Sequence, residues 1–367
     1  MNPQDFIPAI DPNPLPAPYW VFKLLLIVTF ILHIVAMNFM LGGGFLAALA
    51  RFRSKKDENY ARLFKALAKK IPNLLPATIT LGVAPLLFLQ VIYGQFFYTS
   101  TIIIGWPWFA VLILLTLAYY GFYYISFKSE KNVAAINWVL LFSVIFVFII
   151  GFIYSNNITL LMTPEKWSAK YFADPQGFNL NWGDRTLYPR FLHFFIASLA
   201  VGGLFISAIG LFRWKNDQKY AKFLIKLGGK WFMYFTMVQF AIGIWFLISQ
   251  PRDKMMLFMG DNLLGTIAIL IGIIGGLAAI FIMSDALRKD DPRKGFYLAS
   301  GLIAVVILGM VIMRDILRDA YLAPYFKSTN FAVQTQWEVL PLFLALFVAG
   351  VALWFIMLKK YPFSMKQ

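Results

Sequence analysis

The chain contains two histidines and no cysteine, and the two histidines occupy matching positions. His33 and His193 are 160 residues apart, and each precedes a Gly-Gly pair by nine residues. Without cysteine, thiolate nucleophiles, disulfides and Cys-ligated iron–sulfur clusters are excluded. A neutral imidazole remains a good axial ligand for haem iron, and small or apolar residues follow each histidine on its helical face. This pattern favours two haem ligands; two interface histidines bonded to nearby hydroxyl or carbonyl groups are the alternative.

Methionine is another residue type that could ligate haem iron. Met37 and Met40 follow His33 by about one and two helical turns, whereas alanines hold the corresponding places after His193. Met237 lies in a later apolar stretch. The predicted cofactor-binding residues are therefore His33, His193, Met37, Met40 and Met237, with the two histidines as the iron ligands.

The elements that position the histidines are repeated along the chain. With an offset of 160 residues, 13 of the 38 positions in 33–70 are identical to those in 193–230, without a gap. The identities include both histidines, both Gly-Gly pairs, and Asp57 with Asp217. We therefore predict an internal duplication of parallel orientation, related by an axis along the membrane normal.

The composition indicates a polytopic membrane protein. Of 367 residues, 60% are apolar and 14% charged, and the mean hydropathy is +0.70, whereas a soluble domain has about 25% charged residues. A helix needs about 20 apolar residues to cross the hydrocarbon core. Nine stretches are long enough: 19–50, 73–98, 102–127, 133–155, 189–212, 231–249, 262–284, 296–313 and 336–358. The predicted fold is all-α, with nine transmembrane helices: two duplicated four-helix bundles plus one C-terminal helix.

The Lys and Arg residues give the orientation. The connections after spans 1, 3, 5 and 7 and the C-terminus hold 8, 2, 6, 4 and 3 of them, together 23 of the 33 in the chain. Because cytoplasmic loops carry the Lys and Arg excess, the N-terminus is predicted to lie outside and the C-terminus in the cytoplasm. The net charge of +16 is thus mainly a topology signal, not a nucleic-acid footprint.

This orientation divides the chain into six segments. They are an outer proline-rich tail (1–18), a first four-helix bundle (19–155), an outer connecting segment (156–188), a second four-helix bundle (189–317), an outer loop (318–335), and a ninth helix with a cytoplasmic tail (336–367). The linkers 57–70 and 217–230 carry an apolar stripe at helical spacing with interleaved lysines. This pattern predicts short amphipathic helices on the cytoplasmic surface.

Carboxylates are missing from the interior of the predicted spans. All 17 Asp and Glu residues fall in loops or at span ends, and Asp285 and Glu338 come nearest to the hydrocarbon. The interior polar groups are neutral, among them Gln90 and Gln239, which suit hydrogen bonds between helices. Because proton pumps and ion transporters keep carboxylates inside the bundle, we expect no proton pumping.

The 156–188 segment is aromatic and sparsely charged, with Trp167, Tyr171, Phe172, Phe178 and Trp182. Such a composition is typical of the core of a protein interface, which predicts a docking surface for a partner subunit. An aromatic belt on the lipid headgroups is the equally weighted alternative.

Four motifs carry a resemblance to a known family: Leu32-His33 with Leu41-Gly42, Arg190 to His193 with Val201 to Gly203, Ser155 to Met162, and Gly82 to Gly94. The motif around His33 is similar to the first-span haem-ligand motif of subunit I of the cytochrome bd quinol oxidases, and the motif around His193 is similar to its fifth-span motif, whose histidine binds the low-spin haem b. Residues 155–162 are similar to the outer segment after span 4 of that subunit, and residues 82–94 are similar to its second-span motif. Nine spans with the N-terminus outside agree with this resemblance.

The resemblance implies a membrane-integral electron-transfer subunit of an oxidoreductase, in the cytoplasmic membrane of a prokaryote. It would hold one or two b-type haems on His33 and His193 and use quinol as substrate. Electrons would pass between quinol and an extracytoplasmic or membrane redox subunit, such as a c-type cytochrome.

The chain also departs from the family pattern. Gln90 and Ile307 stand where the family has glutamates in spans 2 and 8, and the loop after span 6 shrinks to 250–262. We therefore expect no dioxygen reduction by this subunit. Three alternatives remain open: a haem-free membrane anchor or scaffold subunit of a larger respiratory complex, a divergent quinol oxidase, and a small-molecule transporter.

Overall fold

The structure is a computed structural model that describes residues 3–131 and 134–360. Its α-helices are α1 (Tyr19–Arg53), α2 (Glu58–Ile103), α3 (Gly105–Lys128), α4 (Ala135–Leu161), α5 (Trp167–Ala173), α6 (Leu187–Arg213), α7 (Gln218–Ile248), α8 (Arg252–Met256), α9 (Leu263–Ala286), α10 (Arg293–Leu322) and α11 (Leu340–Lys360). Three 3₁₀ turns (Pro3–Phe6, Pro164–Lys166 and Ser328–Asn330) and a π-helical turn (Leu257–Asp261) complete them. The predicted start of span 4 at 133 and part of the predicted cytoplasmic tail, 361–367, lie outside the described residues.

Eight helices within the described ranges are long and apolar enough to cross a membrane, namely α1, α2, α3, α4, α6, α7, α9 and α10. Each coincides with a predicted span. The ninth predicted span corresponds to α11, whose apolar part Leu340–Trp354 is shorter than these eight. No β-strand occurs in the described part of the chain. The prediction of an all-α, multi-pass membrane protein is confirmed.

The long helices form two bundles in the order that the duplication predicts. Helices α1 to α4 form the first, and α6, α7, α9 and α10 form the second, with α1 and α6 packed against each other between them. Within the bundles α1 pairs with α2, α3 with α4, α6 with α7, and α9 with α10. Following the predicted orientation, the end that carries residues 3–18, 162–186 and 249–262 is called the outer end below.

The contact between the bundles depends on two glycines that the duplication relates. A Cβ on Gly42 would lie 2.0 Å from the carbonyl oxygen of Ser198, and a Cβ on Gly202 would lie 2.8 Å from the backbone of Gly42. Small residues at such crossings allow membrane helices to approach closely, and backbone atoms on the facing helix leave no room for a methyl group. Gly43 differs, because a Cβ there would meet only the Phe205 ring at 3.7 Å.

We expect Gly42→Ala to destabilise the protein by about 3 kcal/mol or more, because α1 and α6 must separate to relieve the overlap. Gly43→Ala is the matched control and should change stability by no more than about 0.5 kcal/mol. Thermal unfolding of both variants in the same detergent measures the difference. Equal midpoints for the two variants would show that the crossing is not tightly packed.

The two amphipathic linkers are not separate surface helices. Residues 58–70 are the first turns of α2, and 218–230 are the first turns of α7. Their apolar stripes are buried against the bundles, as Leu63, Leu67 and Leu224 show with 0% exposure. The repeated aspartates have a structural role, because Asp57 caps α2 through the amide of Asn59 and Asp217 caps α7 through that of Tyr220.

The outer end holds several connections in place. The backbone of Leu15 exchanges hydrogen bonds with Ala332 and Gln334, at 2.8 and 2.9 Å, so the proline-rich tail is bound to the segment after α10. Lys166 donates to the buried Asp184 at 2.7 Å. Burial raises the pKa of the Asp184 carboxyl, but hydrogen bonds from Lys166 and Thr186 outweigh it, and the net pKa is lower than usual.

This lowered pKa gives a prediction for pH dependence. A carboxyl with a depressed folded-state pKa contributes stability that is fully present above its unfolded pKa of about 3.9 and is lost as the pH falls through the folded value. We expect Asp184→Asn to cost about 1 kcal/mol at pH 7 and progressively less below pH 4. Thermal unfolding at both pH values, with the exposed Asp261→Asn as control, measures it. If Asp184→Asn lowered the stability as much at pH 3 as at pH 7, the lowered pKa would not be the source of this stability.

Candidate functional site

A cavity of about 340 Å³ lies inside the first bundle. Its wall comes from α1, α2, α3 and α4, while residues of α6 and α10 close it on the side of the second bundle. The lining is mostly apolar, and none of the described lining residues is Asp or Glu. A volume of this size, with an apolar wall and a few polar groups, is typical of ligand and cofactor sites.

His33 of α1 lines this cavity and is held in one orientation. Its Nδ1 lies 3.0 Å from the backbone carbonyl oxygen of Thr78 on α2. Because a carbonyl only accepts, Nδ1–H is the donor, and the lone pair of the neutral ring is then on Nε2. A histidine that donates one ring N–H to a backbone carbonyl is oriented as metal-ligating histidines usually are.

Gly82 of α2 makes room for this ring. A Cβ at Gly82 would lie 2.8 Å from Cε1 and 2.9 Å from Nδ1 of His33. Both distances are shorter than van der Waals contact, so any larger residue would displace the imidazole. The glycine and the Thr78 carbonyl together fix the ring beside the cavity.

The three candidate methionines separate in the structure. Met37 and Met40 line the same cavity as His33. Met40 is buried, whereas Met37 is partly buried. Met237 lies on the surface of α7 with 54% of its side chain exposed and does not line this cavity. The structure thus brings His33, Met37 and Met40 together and leaves Met237 apart.

His193 faces the second bundle instead. Its ring packs beside Phe246 and near Gly243 of α7, where a Cβ would lie 3.4 Å from Cε1. Its Nδ1 is buried without a hydrogen-bond partner, and Gln239 donates to its backbone oxygen at 2.9 Å. Each histidine therefore faces a glycine of the following helix, but only His33 borders the cavity described above.

The two histidines are at the same depth. Each precedes the last arginine of its helix, Arg53 or Arg213, by 20 residues, which corresponds to about 30 Å along an α-helix. Because α1 begins 14 residues before His33 and α6 begins 6 residues before His193, both histidines lie in the outer half of their helices.

The outer end of the cavity carries hydrogen-bond donors. Arg190 of α6 is 3% exposed, and its Nε and Nη2 have no partner. Asn157 of α4 is also buried, with its Nδ2 unpartnered. Arg314 of α10 lies 4.2 Å above the ring of Phe30 and completes this end. All three polar side chains line the cavity.

An ion-pair cluster joins α1, α2 and α10 next to these donors. Lys23 contacts Asp315 at 2.5 Å and Asp319 at 2.7 Å, and the Lys23 and Asp315 side chains are 15% and 14% exposed. Tyr93, at a kink in α2, accepts a hydrogen bond from Lys23 at 3.0 Å and donates to Asp319. Arg318 pairs with Asp315. The cluster therefore connects the outer ends of α1, α2 and α10.

This cluster corrects the expectation that all interior polar groups are neutral. Helix α10 continues to Leu322, beyond the predicted end of span 8 at 313, so Asp315 and Asp319 lie on the helix instead of in a loop. Lys23 and Arg318 balance them, which allows Asp315 to be largely buried at 14% exposure, whereas Asp319 is 46% exposed. The sequence signal was the i, i+3 spacing of Asp315 with Arg318, which places opposite charges on one face of a helix.

The 156–188 segment differs from the expectation at one residue. Trp167 is 2% exposed and donates through Nε1 to the carbonyl oxygen of Leu160 at 2.8 Å. It therefore cannot belong to a docking surface. Phe172 and Phe178 are 64% and 56% exposed, and Phe178 stacks on Trp106. The exposed aromatic residues of this segment are thus Tyr171, Phe172, Phe178, Trp182 and Tyr188.

Comparisons with known proteins support the fold. No protein-family model matches the chain, and no curated protein matches it in sequence. The structure of bd oxidase from Geobacillus thermodenitrificans is similar, with a TM-score of 0.71 and 12% sequence identity. The superposition covers 95% of this chain and 99% of the other, so the two chains have similar lengths. At this identity the likeness shows a common fold.

Proposed function

We propose that the chain is a membrane-integral electron-transfer subunit that holds a b-type haem in the cavity of the first bundle, with His33 as axial ligand. The observation that carries this proposal is the geometry of His33, whose Nδ1–H is bonded to a carbonyl while the ring borders an apolar cavity. The likeness to a bd oxidase supports it at the level of fold.

The residues around the cavity fit a haem in three respects. Gly82 leaves a space beside the imidazole that a Cβ would fill. Met37 and Met40 supply thioethers on the same wall, and methionine is a known partner of histidine on haem iron. Arg190 has buried N–H groups without partners at the outer end. Bound there, a b-type haem would supply one-electron redox chemistry.

His193 is proposed as the ligand of a second haem in the second bundle. Its unpartnered, buried Nδ1 and its packing near Gly243 support this assignment. Met237 would then be a ligand only if α7 turned, because its side chain is on the exposed surface. The first-bundle site is therefore the stronger of the two proposals.

Quinol is the proposed electron donor, and a redox subunit such as a c-type cytochrome on the outer side is the proposed partner. The depth of His33 supports a partner on the outer side, because this residue lies in the outer half of α1 and about 30 Å from its cytoplasmic end. We propose the cytoplasmic membrane of a prokaryote as the location, with the N-terminus outside.

When the purified protein is mixed with a quinol, its b-type haem should become reduced and the protein should not consume dioxygen. The reason is that none of the described cavity-lining residues is a carboxylate, and making water requires a proton route into the site. Anaerobic difference spectra and an oxygen electrode measure the two results. Quinol-dependent, cyanide-sensitive oxygen uptake would favour a divergent oxidase, and a folded protein without haem would favour an anchor or scaffold subunit.

A further inference from the structure

The outer end of the cavity has an excess of positive charge that is buried or partly buried. The side chains of Lys23, Arg190, Arg314 and Arg318 are close to one another there, whereas Asp315 and Asp319 are the carboxylates that pair with them. Four cations and two anions leave an excess of two positive charges. The neighbouring ion pair of Lys166 with Asp184 is neutral and does not change this sum.

The unpaired cations are the two that line the cavity. Lys23 and Arg318 bind the carboxylates, while Arg190 and Arg314 form no salt bridge within the described residues. Arg190 and Arg314 contact the aromatic rings of Phe246 and Phe30 instead. Arg190 and Arg318 also repel Arg314 electrostatically. Burying unpaired guanidinium groups is costly unless an anion completes the site.

We propose that Arg190 and Arg314, assisted by the Asn157 amide, form a subsite for a molecule with two carboxylates, bound with its carboxylates toward the outer end. This inference rests on the proposed function, in which the molecule is haem and the carboxylates are its two propionates. Arg190 offers two donor nitrogens without partners and Asn157 offers one, and hydrogen bonds from a charged donor to a carboxylate are the strong ones. Two negative charges would balance the excess.

The test compares haem with its dimethyl ester, which lacks both carboxylate charges. The full-length protein, purified without haem, is titrated with each compound and followed by absorption. We expect the wild type to bind haem at least tenfold more tightly than the ester. Arg190→Gln and Arg314→Gln should each reduce this preference severalfold, and the double variant should abolish it. The conservative Arg190→Lys should retain part of it.

The affinity for the ester is the control for folding, because it depends on His33 and the apolar wall but not on the arginines. It should be unchanged in Arg190→Gln, in Arg314→Gln, and in Arg252→Gln outside the cavity. Equal wild-type affinities for haem and ester, or a preference that survives in the double variant, would overturn the subsite and leave the haem site standing. Binding of neither compound would overturn the proposed function together with the subsite.

Discussion

His33→Ala should remove the b-type haem of the first bundle completely while the protein remains folded in the membrane. The imidazole is the proposed ligand and borders the cavity, and its substitution leaves no other histidine in that bundle. Because His33 is partly buried and donates one hydrogen bond, the loss of stability should stay small beside the loss of haem. Haem content per chain and the reduced-minus-oxidised spectrum measure the effect.

His193→Ala is the matched control for this variant. It changes the same residue type at the same depth in the duplicated helix, but its ring does not border the cavity. If the second bundle holds no haem, the control should keep the full content; if it holds one, it should lose a spectrally distinct component. Full haem content in His33→Ala would contradict the assignment of His33.

Gly82→Ala should lower haem affinity by about ten- to a hundredfold without removing any ligand. The new Cβ would lie within 3 Å of two His33 ring atoms, so the imidazole must turn away from the Thr78 carbonyl. Loss of the partner that orients a ligating histidine typically has a cost of this size. Haem titration of the purified variant provides the measurement.

Gly151→Ala serves as the control for Gly82→Ala because Gly151 lines the same cavity. A Cβ there would meet the Phe191 ring at 3.6 Å, an ordinary van der Waals distance. Haem affinity should therefore stay close to that of the wild type. Equal effects of the two substitutions would mean that cavity volume, and not the orientation of His33, limits binding.

The sequence predicted the fold well because membrane insertion depends on composition and length. Eight predicted spans coincide with helices that are long and apolar enough to cross a membrane. The duplication was also visible, and the structure explains several of its identities: Gly42 and Gly202 form the crossing of the bundles, and Asp57 and Asp217 cap α2 and α7. These residues are repeated for structural reasons.

Helix ends and side-chain environments were harder to predict. The charged end of α10 was predicted to be a loop because hydropathy does not reveal that Lys23, 292 residues earlier in the chain and on another helix, would pair with Asp315. Equivalence in sequence also did not imply equivalence in surroundings, since only His33 borders the described cavity. Likewise, aromatic composition could not separate the buried Trp167 from the exposed Phe172.

Gly82 shows what signal was available for the site. It belonged to one of the sequence motifs. It is 161 residues before Gly243, however, so the offset of 160 does not align the two glycines. Its contact with the His33 ring therefore required the packing of α1 on α2. The placement of Arg190 and Arg314 likewise depends on tertiary packing, because α6 and α10 are distant in sequence and meet the first bundle at the outer end of the cavity.

The most direct measurement of the central claim is the haem content of the purified wild-type chain from cells supplied with haem, by the pyridine haemochrome spectrum. We expect b-type haem at a ratio of about one per chain, or about two if His193 binds a second. A folded, purified chain that contains no haem and takes up none on titration would contradict the claim.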